Sequence, residues 1–410
     1  MSDLPSGPPH GVTFVQIWRH PDPERQERYI QTVRDNVALL TSQPGFRSFR
    51  LLAGVDGRSS AVVAEWADQA ASKAAAGTAE AVAAHDRMAE SGEPSGSFYQ
   101  QRERWAFDPS PATIDGVEHH RVSAGAGELH FVTAGASGVP VLLVHGFPET
   151  WWAFRKLIPL LAATHRVIAV DLPGTGDSSH HDGNYDSGTA AAALRDLLLE
   201  LELGPVHLLG QDIGGPATYR LAATAPDLVR SYTFIESGLS GFGLEALMDV
   251  ANGGSWHFGF LAEPGIPEML LRGHEREFFE SRYRRQRTAV LPTDIDEFLR
   301  TYAGPGGWAG SLGRYQSMVR EGSELQRLGQ TPLAMPVLAV GAGGEGGFGD
   351  FSRQTMAQVA TRVEDVVIDG TGHFIAQESP DELAWHLLAF YARVESSPAA
   401  IPPETDPNRS

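Results

Sequence analysis

Two residues far apart in the chain, an aspartate and a histidine, sit in the surroundings of reactive groups. Asp212 stands in Gly210-Gln211-Asp212-Ile213-Gly214-Gly215, after the apolar run Val206-His207-Leu208-Leu209 and ahead of a helical stretch. Small residues two positions either side of it are what a sharp strand-to-helix turn requires. The residue at the tip of such a turn is strained and presented, with a helix N-terminus behind it. A plain N-cap of the following helix is the competing role. His373 lies in Gly370-Thr371-Gly372-His373-Phe374, after the strand Val366-Val367-Ile368-Asp369. Its flanking glycines hold it on a loop at a strand end. A third stretch, His145-Gly146-Phe147-Pro148-Glu149, follows the strand Val141-Leu142-Leu143-Val144. The backbone N–H groups of Phe147 and Ile213 are the expected oxyanion hole. Pro148 is a candidate cis-proline.

An aspartate at such a tip implies a particular chemistry. A carboxylate attacking an ester would make a mixed anhydride, a poor route for hydrolysis. Against an sp³ carbon bearing a leaving group it displaces in one step and forms an alkyl ester. Water deprotonated by His373 would then attack the ester carbonyl, so the oxyanion forms on Asp212 itself, beside the two N–H groups. The carboxylate is already ionised at neutral pH and needs no activation, so the histidine serves the second step. His373 needs a carboxylate to orient it. Glu236 ends the strand Tyr232-Thr233-Phe234-Ile235, Glu345 lies in Gly343-Gly344-Glu345-Gly346, and Asp350 is a third candidate. The glycine-rich 341–349 loop gives Glu345 little fixed direction, which favours Glu236, and a solvated loop acid is the competing role for each.

These residues must be positioned by regular elements. From residue 115 the spacing predicts strands at 117–122, 128–133, 140–144, 166–170, 206–210, 231–235, 336–340 and 365–368. Helices are expected at 150–163, 187–202, 214–225, 351–361 and 380–395. Such alternation implies a mostly parallel sheet covered on both faces. Between 237 and 330 the strand signal vanishes and Trp, Phe, Tyr, Leu and Arg abound. The stretch is too long for a loop, which predicts a helical cap. Upstream, residues 12–105 show a strand at 12–18, helical spacing over 22–40, strands at 49–52 and 61–66, an Ala-rich helix at about 67–90, and a returning strand at 98–105. That β-α-β-β-α-β order is ferredoxin-like α+β. The expected boundaries are a small domain at 1–106, a linker at 107–114, an α/β core at 115–236 and 331–395, the cap at 237–330, and a Pro-rich disordered tail at 396–410.

HGFPET at 145, DLPGTGDS at 171, GQDIGG at 210 and GTGHF at 370, in that order, resemble the epoxide hydrolase and dehalogenase branch of the α/β-hydrolases. The resemblance covers residues ~115–395 and implies donors to the departing atom on the cap. Similar positions in the branch face the nucleophile, which points to Tyr315 and Trp256, with His257 beside them. Packing of the cap core is the competing role, and Tyr283, Tyr302 and Trp308 are nearby alternatives. An epoxide leaves as an alkoxide and wants a strong donor, whereas a halide needs only weak ones. Haloalkane dehalogenases usually carry Asn where this chain has Phe147. Fluoroacetate dehalogenases place arginines just after the nucleophile, where this chain has Ile213-Gly214-Gly215-Pro216. The resemblance therefore implies a cofactor-free epoxide hydrolase, with a dehalogenase, or a non-hydrolytic binding protein or oxygenase, as alternatives. Trp18, Pro44-Gly45-Phe46, Asp56-Gly57-Arg58 and Glu65-Trp66 resemble antibiotic biosynthesis monooxygenase-like domains. That implies a homodimer through residues 12–105 and a polycyclic natural-product epoxide as substrate. Trp66 is either a reactive-site residue or, more simply, a core tryptophan.

Composition narrows the partners. The 410 residues contain no cysteine, which rules out disulfides and thiolate metal sites. Lys plus Arg number 32 against 51 Asp plus Glu, a net charge of -19 that repels nucleic acid and anionic membranes. The start MSDLPSGPPHG is not a signal peptide, and no apolar run reaches the ~18–20 residues of a membrane span. A small-molecule substrate and a cytoplasmic location are the expectations.

Overall fold

The computed structural model describes residues 12–100, 111–125, 127–179, 184–252, 254–284, 289–302 and 306–397. Two compact units span residues 1–107 and 108–410. The first contains β1 (Val12–Arg19), α1 (Pro23–Thr41), β2 (Phe46–Ala53), β3 (Ser59–Trp66), α2 (Gln69–Ala76), α3 (Ala79–Ala89) and β4 (Glu93–Gln100). Its strands form an antiparallel sheet in the order β2-β3-β1-β4. Trp18, Tyr29, Ile30, Val33 and Val62 make its core. The Ala-rich stretch forms two helices rather than one. Gly77 ends α2, and the Thr78 hydroxyl accepts from the Ala81 N–H to start α3. The returning strand begins at Glu93, ahead of the expected Phe98. Its expected end at 101–105, most of the linker and the tail from 398 onward lie outside the described residues. Trp66 is 2% exposed and meets Phe46 edge-on, with ring centroids 5.5 Å apart.

The second unit is built on eight strands, β5 (Glu118–Ala124), β6 (Gly127–Ala134), β7 (Pro140–Val144), β8 (Arg166–Val170), β9 (Val206–Gln211), β10 (Val229–Ile235), β11 (Val337–Ala342) and β12 (Val363–Ile368). Their order is β12-β11-β10-β9-β7-β8-β6-β5. β7 to β12 run parallel, and β5 and β6 add an antiparallel edge. β9 and β11 are buried along their whole length because helices cover both faces, so their sequences read as apolar runs without alternation. The helices are α4 (Ile158–Ala162), α5 (Ser187–Glu200), α6 (Gly214–Thr224), α7 (His257–Ala262), α8 (Ile266–Leu271), α9 (Glu275–Arg282), α10 (Pro292–Tyr302), α11 (Ala309–Met318), α12 (Gly322–Gly329), α13 (Phe351–Met356), α14 (Ile375–Glu378) and α15 (Pro380–Ser396). α5 and α6 pack on one face of the sheet, α4 and α15 on the other.

The helix expected over 150–163 is broken into a 3₁₀ turn at Trp151–Phe154 and the short α4. Pro159 lacks an N–H, and its ring clashes with a helical carbonyl four residues back, so the helix can only start beside it. α7 to α12 form the cap between β10 and β11, around an aromatic core that includes Phe279, Tyr302 and Trp308. No helix among the described residues is long and apolar enough to cross a membrane.

A buried ion pair ties cap to core. Arg155 Nη2 meets Asp294 Oδ2 at 2.5 Å, with each side chain 7% exposed. Asp294 also accepts from the Trp152 Nε1–H at 3.0 Å. Asp294→Ala leaves the guanidinium buried without its counter-charge, so it should destabilise this unit by ~3–5 kcal/mol. A urea titration checks it, as a lowered midpoint with the slope unchanged.

Candidate active site

Asp212 follows β9 directly, with φ at +50°. The left-handed region costs a side chain bearing Cβ roughly 1–2 kcal/mol. Local hydrogen bonds hold it there. The Asp212 N–H donates to Ile235 O at 3.0 Å, while the Asp212 carbonyl accepts from Gly215 N at 2.9 Å and Ser237 Oγ at 2.6 Å. Two glycines permit the close approach of the neighbouring loop. A Cβ on Gly146 would stand 2.4 Å from Asp212 Cβ, and one on Gly214 would stand 2.5 Å from His145 O. The Phe147–Pro148 peptide is cis. The Phe147 N–H donates to Asp212 Oδ1 at 2.9 Å, and the Ile213 N–H also donates to this carboxylate.

The other carboxylate oxygen, Oδ2, lies 3.1 Å from His373 Nε2. On the far side of the ring, His373 Nδ1 is 3.0 Å from Glu236 Oε2. Glu236 is fully buried at the end of β10, also with a left-handed φ, +45°. Its carboxylate accepts the Ala342 N–H at 2.7 Å and the Phe348 N–H at 3.0 Å. The structure thus brings Asp212, His373 and Glu236 into one line. It leaves Glu345 and Asp350 exposed. The reason is that the loop carrying Glu345 turns its backbone donors, not that side chain, toward the site.

Electrostatics follow from this line. Burial opposes charge on His373, but Asp212 and Glu236 outweigh it and raise its pKa to about 10. For Asp212, burial works against ionisation, yet His373 and the two backbone N–H groups hold the pKa below its ordinary value. With both ring nitrogens donating, the free site holds an imidazolium between two carboxylates.

The cavity above Asp212 has a volume of about 600 Å³, and its walls include His373, Phe348, Trp256, His257 and Arg282. His257 is tuned the opposite way to His373. Burial first, then the Arg282 charge, lowers its pKa to about 3. Its Nδ1 lies 2.5 Å from Ser255 Oγ and 3.4 Å from Arg282 Nη1. A guanidinium only donates, so Nδ1 is the acceptor and the neutral ring carries its proton on Nε2. The buried Tyr315 ring stands edge-on to Phe147, with centroids 5.2 Å apart, and to His257 at 5.9 Å. Burial, then the Asp212 charge, raises the Tyr315 pKa well above 10.0, so its hydroxyl keeps its proton. Trp256 stands apart from this pair, 56% exposed at the cavity edge beside Phe260. The Tyr302 and Ser311 hydroxyls share a hydrogen bond at 2.6 Å, and Tyr283 packs on Phe374 with centroids 4.6 Å apart.

Two groups escaped the sequence reading. Glu149 is buried, with its pKa raised to about 8 by burial and then by the Asp212 charge, and it accepts from Gln211 Nε2 at 3.0 Å and Gln377 Nε2 at 2.5 Å. It lies within the HGFPET run, but its partners come from the end of β9 and from α14, far along the chain. Arg282 was signalled only by the arginine run Arg282-Tyr283-Arg284-Arg285-Gln286-Arg287.

Residues 139–380 match the model of the alpha/beta hydrolase fold, and residues 13–87 match that of the antibiotic biosynthesis monooxygenase domain. The chain belongs to the α/β-hydrolase family, in its epoxide hydrolase branch, with an antibiotic biosynthesis monooxygenase domain preceding it. A soluble epoxide hydrolase of Corynebacterium sp. (strain C12) is 30% identical over 283 residues, covering 67% of this chain and 98% of that one. A fluoroacetate dehalogenase of Burkholderia sp. is 26% identical, covering 69% and 96%. Among solved structures, Cfl2 from Burkholderia cenocepacia is 33% identical with a TM-score of 0.62, covering 67% of this chain and 96% of that one.

The imidazolium predicts a titration. Because its folded pKa lies above the ordinary 6.5, the charge contributes stability that is full below 6.5 and lost as pH rises through about 10. In ¹⁵N NMR, the His373 ring should keep its imidazolium signal through neutral pH. Asp212→Asn, which removes one flanking anion, should move the titration downward.

Proposed function

We propose that this protein opens an epoxide to a vicinal diol through an alkyl ester on Asp212. The observation that carries the reading is the placement of the two carboxylate oxygens, with Oδ1 on the Phe147 N–H and Oδ2 facing His373. Oδ2 attacks an epoxide carbon, the carbon–oxygen bond of the ring breaks, and the leaving alkoxide takes a proton from Tyr315 or from His257 Nε2. An alkoxide is a far stronger base than a halide, and this neutral, protonated pair suits it. Esterification removes the Asp212 charge, so His373 loses one of the two anions that held its proton. That proton resupplies the cap donor, and the neutral imidazole becomes a base.

Water then gives a proton to His373 and attacks the ester carbonyl carbon. The oxyanion forms on Oδ1, which already accepts the Phe147 N–H, with the Ile213 N–H on the same carboxylate. Collapse of the adduct expels the diol oxygen, which takes the proton of the resulting carboxylic acid and restores Asp212 as a carboxylate. Glu236 keeps the ring oriented throughout. The particular substrate is a small molecule carrying an epoxide, and the similarity to named epoxide hydrolases supports the reaction class.

For the first unit we infer a pairing role. Ile17, Ala61 and Leu52 are aligned across β1, β3 and β2, on the face opposite Trp18 and Val62. Ile17 is 44% and Leu52 54% exposed, an apolar row suited to a second copy. Leu52→Glu should shift the protein from dimer to monomer in sedimentation, and a wild-type monomer would refute the pairing.

Two measurements test the reaction. A single turnover in heavy-oxygen water should leave the label in Asp212, whereas label in the diol would refute the covalent route. His373→Gln should still be alkylated, gaining the mass of the epoxide, while its turnover falls ~10²–10⁴-fold for want of the base.

A further inference from the structure

Arg282, the last residue of α9, reaches the cavity above Asp212 from the cap side. Four other arginines of this unit meet carboxylates, Arg155 with Asp294, Arg220 with Glu324, Arg276 with Asp296 and Arg300 with Asp177, and the buried Arg314 gives its two terminal nitrogens to Thr175 Oγ1 and Pro173 O. Arg282 does neither. Its one hydrogen-bond partner among the described residues is His257 Nδ1, at 3.4 Å. Its Nε–H is buried with no acceptor. The undescribed stretch just beyond it, Arg285-Gln286-Arg287-Thr288, contains no acid. A guanidinium offers five donors, and one long contact to an imidazole leaves most of them without a protein acceptor among the described residues.

The charges facing it set what could compensate. Asp212 and Glu236 against the His373 imidazolium leave the reacting centre with one net negative charge, and His257 and Tyr315 are neutral. Asp350 borders the cavity but is exposed and accepts from Gln354 Nε2 at 2.9 Å. The whole chain carries -19. Such a field repels an anionic substrate, and an unpaired cation inside the cavity is the device that would admit one. A wholly neutral substrate would leave that cation unpaired at each turnover. Arg282, Arg284, Arg285 and Arg287 also fall within six residues, a local basic run in an acidic protein.

We propose that the substrate is an epoxy acid, its carboxylate held by Arg282 while the ring oxygen faces His257 and Tyr315. This rests on the epoxide-opening reading of the same cavity. Because Arg282 abuts His257, the carboxylate and the epoxide oxygen stand only a few bonds apart, which selects 2,3-epoxy acids over those with the groups far apart. A guanidinium binds a carboxylate through parallel N–H donors, which a lysine ammonium matches only in charge.

The test compares 3-phenyl-2,3-epoxypropanoate with its carboxamide, a neutral molecule of the same shape. The wild-type protein should prefer the acid, with the difference in KM. Arg282→Gln should lower the acid-to-amide ratio of kcat/KM by about 10- to 100-fold, the effect of losing a charged hydrogen-bond partner. Arg282→Lys should restore part of it. A ratio is unaffected by a uniform loss of activity, and the wild-type ratio needs no variant to fold. Equal use of acid and amide by the wild type, or a ratio unchanged in Arg282→Gln, overturns the assignment while leaving the epoxide chemistry standing. Halide release from 2-chloro-3-phenylpropanoate with neither epoxide opened would instead overturn the reaction, and with it the epoxy acid.

Discussion

A single imidazole held between two buried carboxylates is the interaction on which the rest of this structure depends. Asp212 and Glu236 approach the same ring from opposite sides, at 3.1 and 3.0 Å. Two anions in so little water would repel each other strongly and shed one charge by protonation. The proton on His373 removes the conflict, and the backbone does the remainder. Glu236 takes N–H groups from Ala342 and Phe348, and Asp212 takes them from Phe147 and Ile213. Each carboxylate is therefore solvated by fixed dipoles instead of water, at the cost of a left-handed backbone at both residues.

The parallel sheet explains how groups so distant in sequence converge. Asp212 follows β9, Glu236 follows β10, Phe147 lies just beyond β7, and His373 comes shortly after β12. All four are at the carboxyl ends of their strands, the edge at which open α/β sheets place ligands. The core contributes the reacting line, and the cap contributes the opposing wall.

That wall shows how far burial alone can go. His373 and His257 border one cavity, yet one is raised to about 10 and the other lowered to about 3. Desolvation lowers both. His373 has two anions in contact that reverse it, whereas His257 has the Arg282 cation beside it, which adds to it. Identical side chains thus face the same space as a charged acid and a neutral donor. The same cation, unmatched by any acid among the described residues, gives the cavity its asymmetry.

Much of this was legible in the residues themselves, because the signals are local. The glycines around Asp212 and His373 report backbone bends within a few residues. The central strands of the second unit, such as β7, β9 and β11, are largely apolar runs, which need no knowledge of their neighbours to be seen. What the chain alone left open was every choice between equivalent side chains. Glu236 and Glu345 both follow strands, and only the path of the 343–348 loop decides which carboxylate receives the backbone N–H groups and the ring. Breaks at Gly77 and Pro159 were hidden inside favourable helical stretches. Arg282 is one arginine among several in its stretch of sequence, and its distance from any acid depends on how the cap helices pack. Local geometry is written in neighbouring residues, but charge compensation is a property of what tertiary packing brings within a few ångströms.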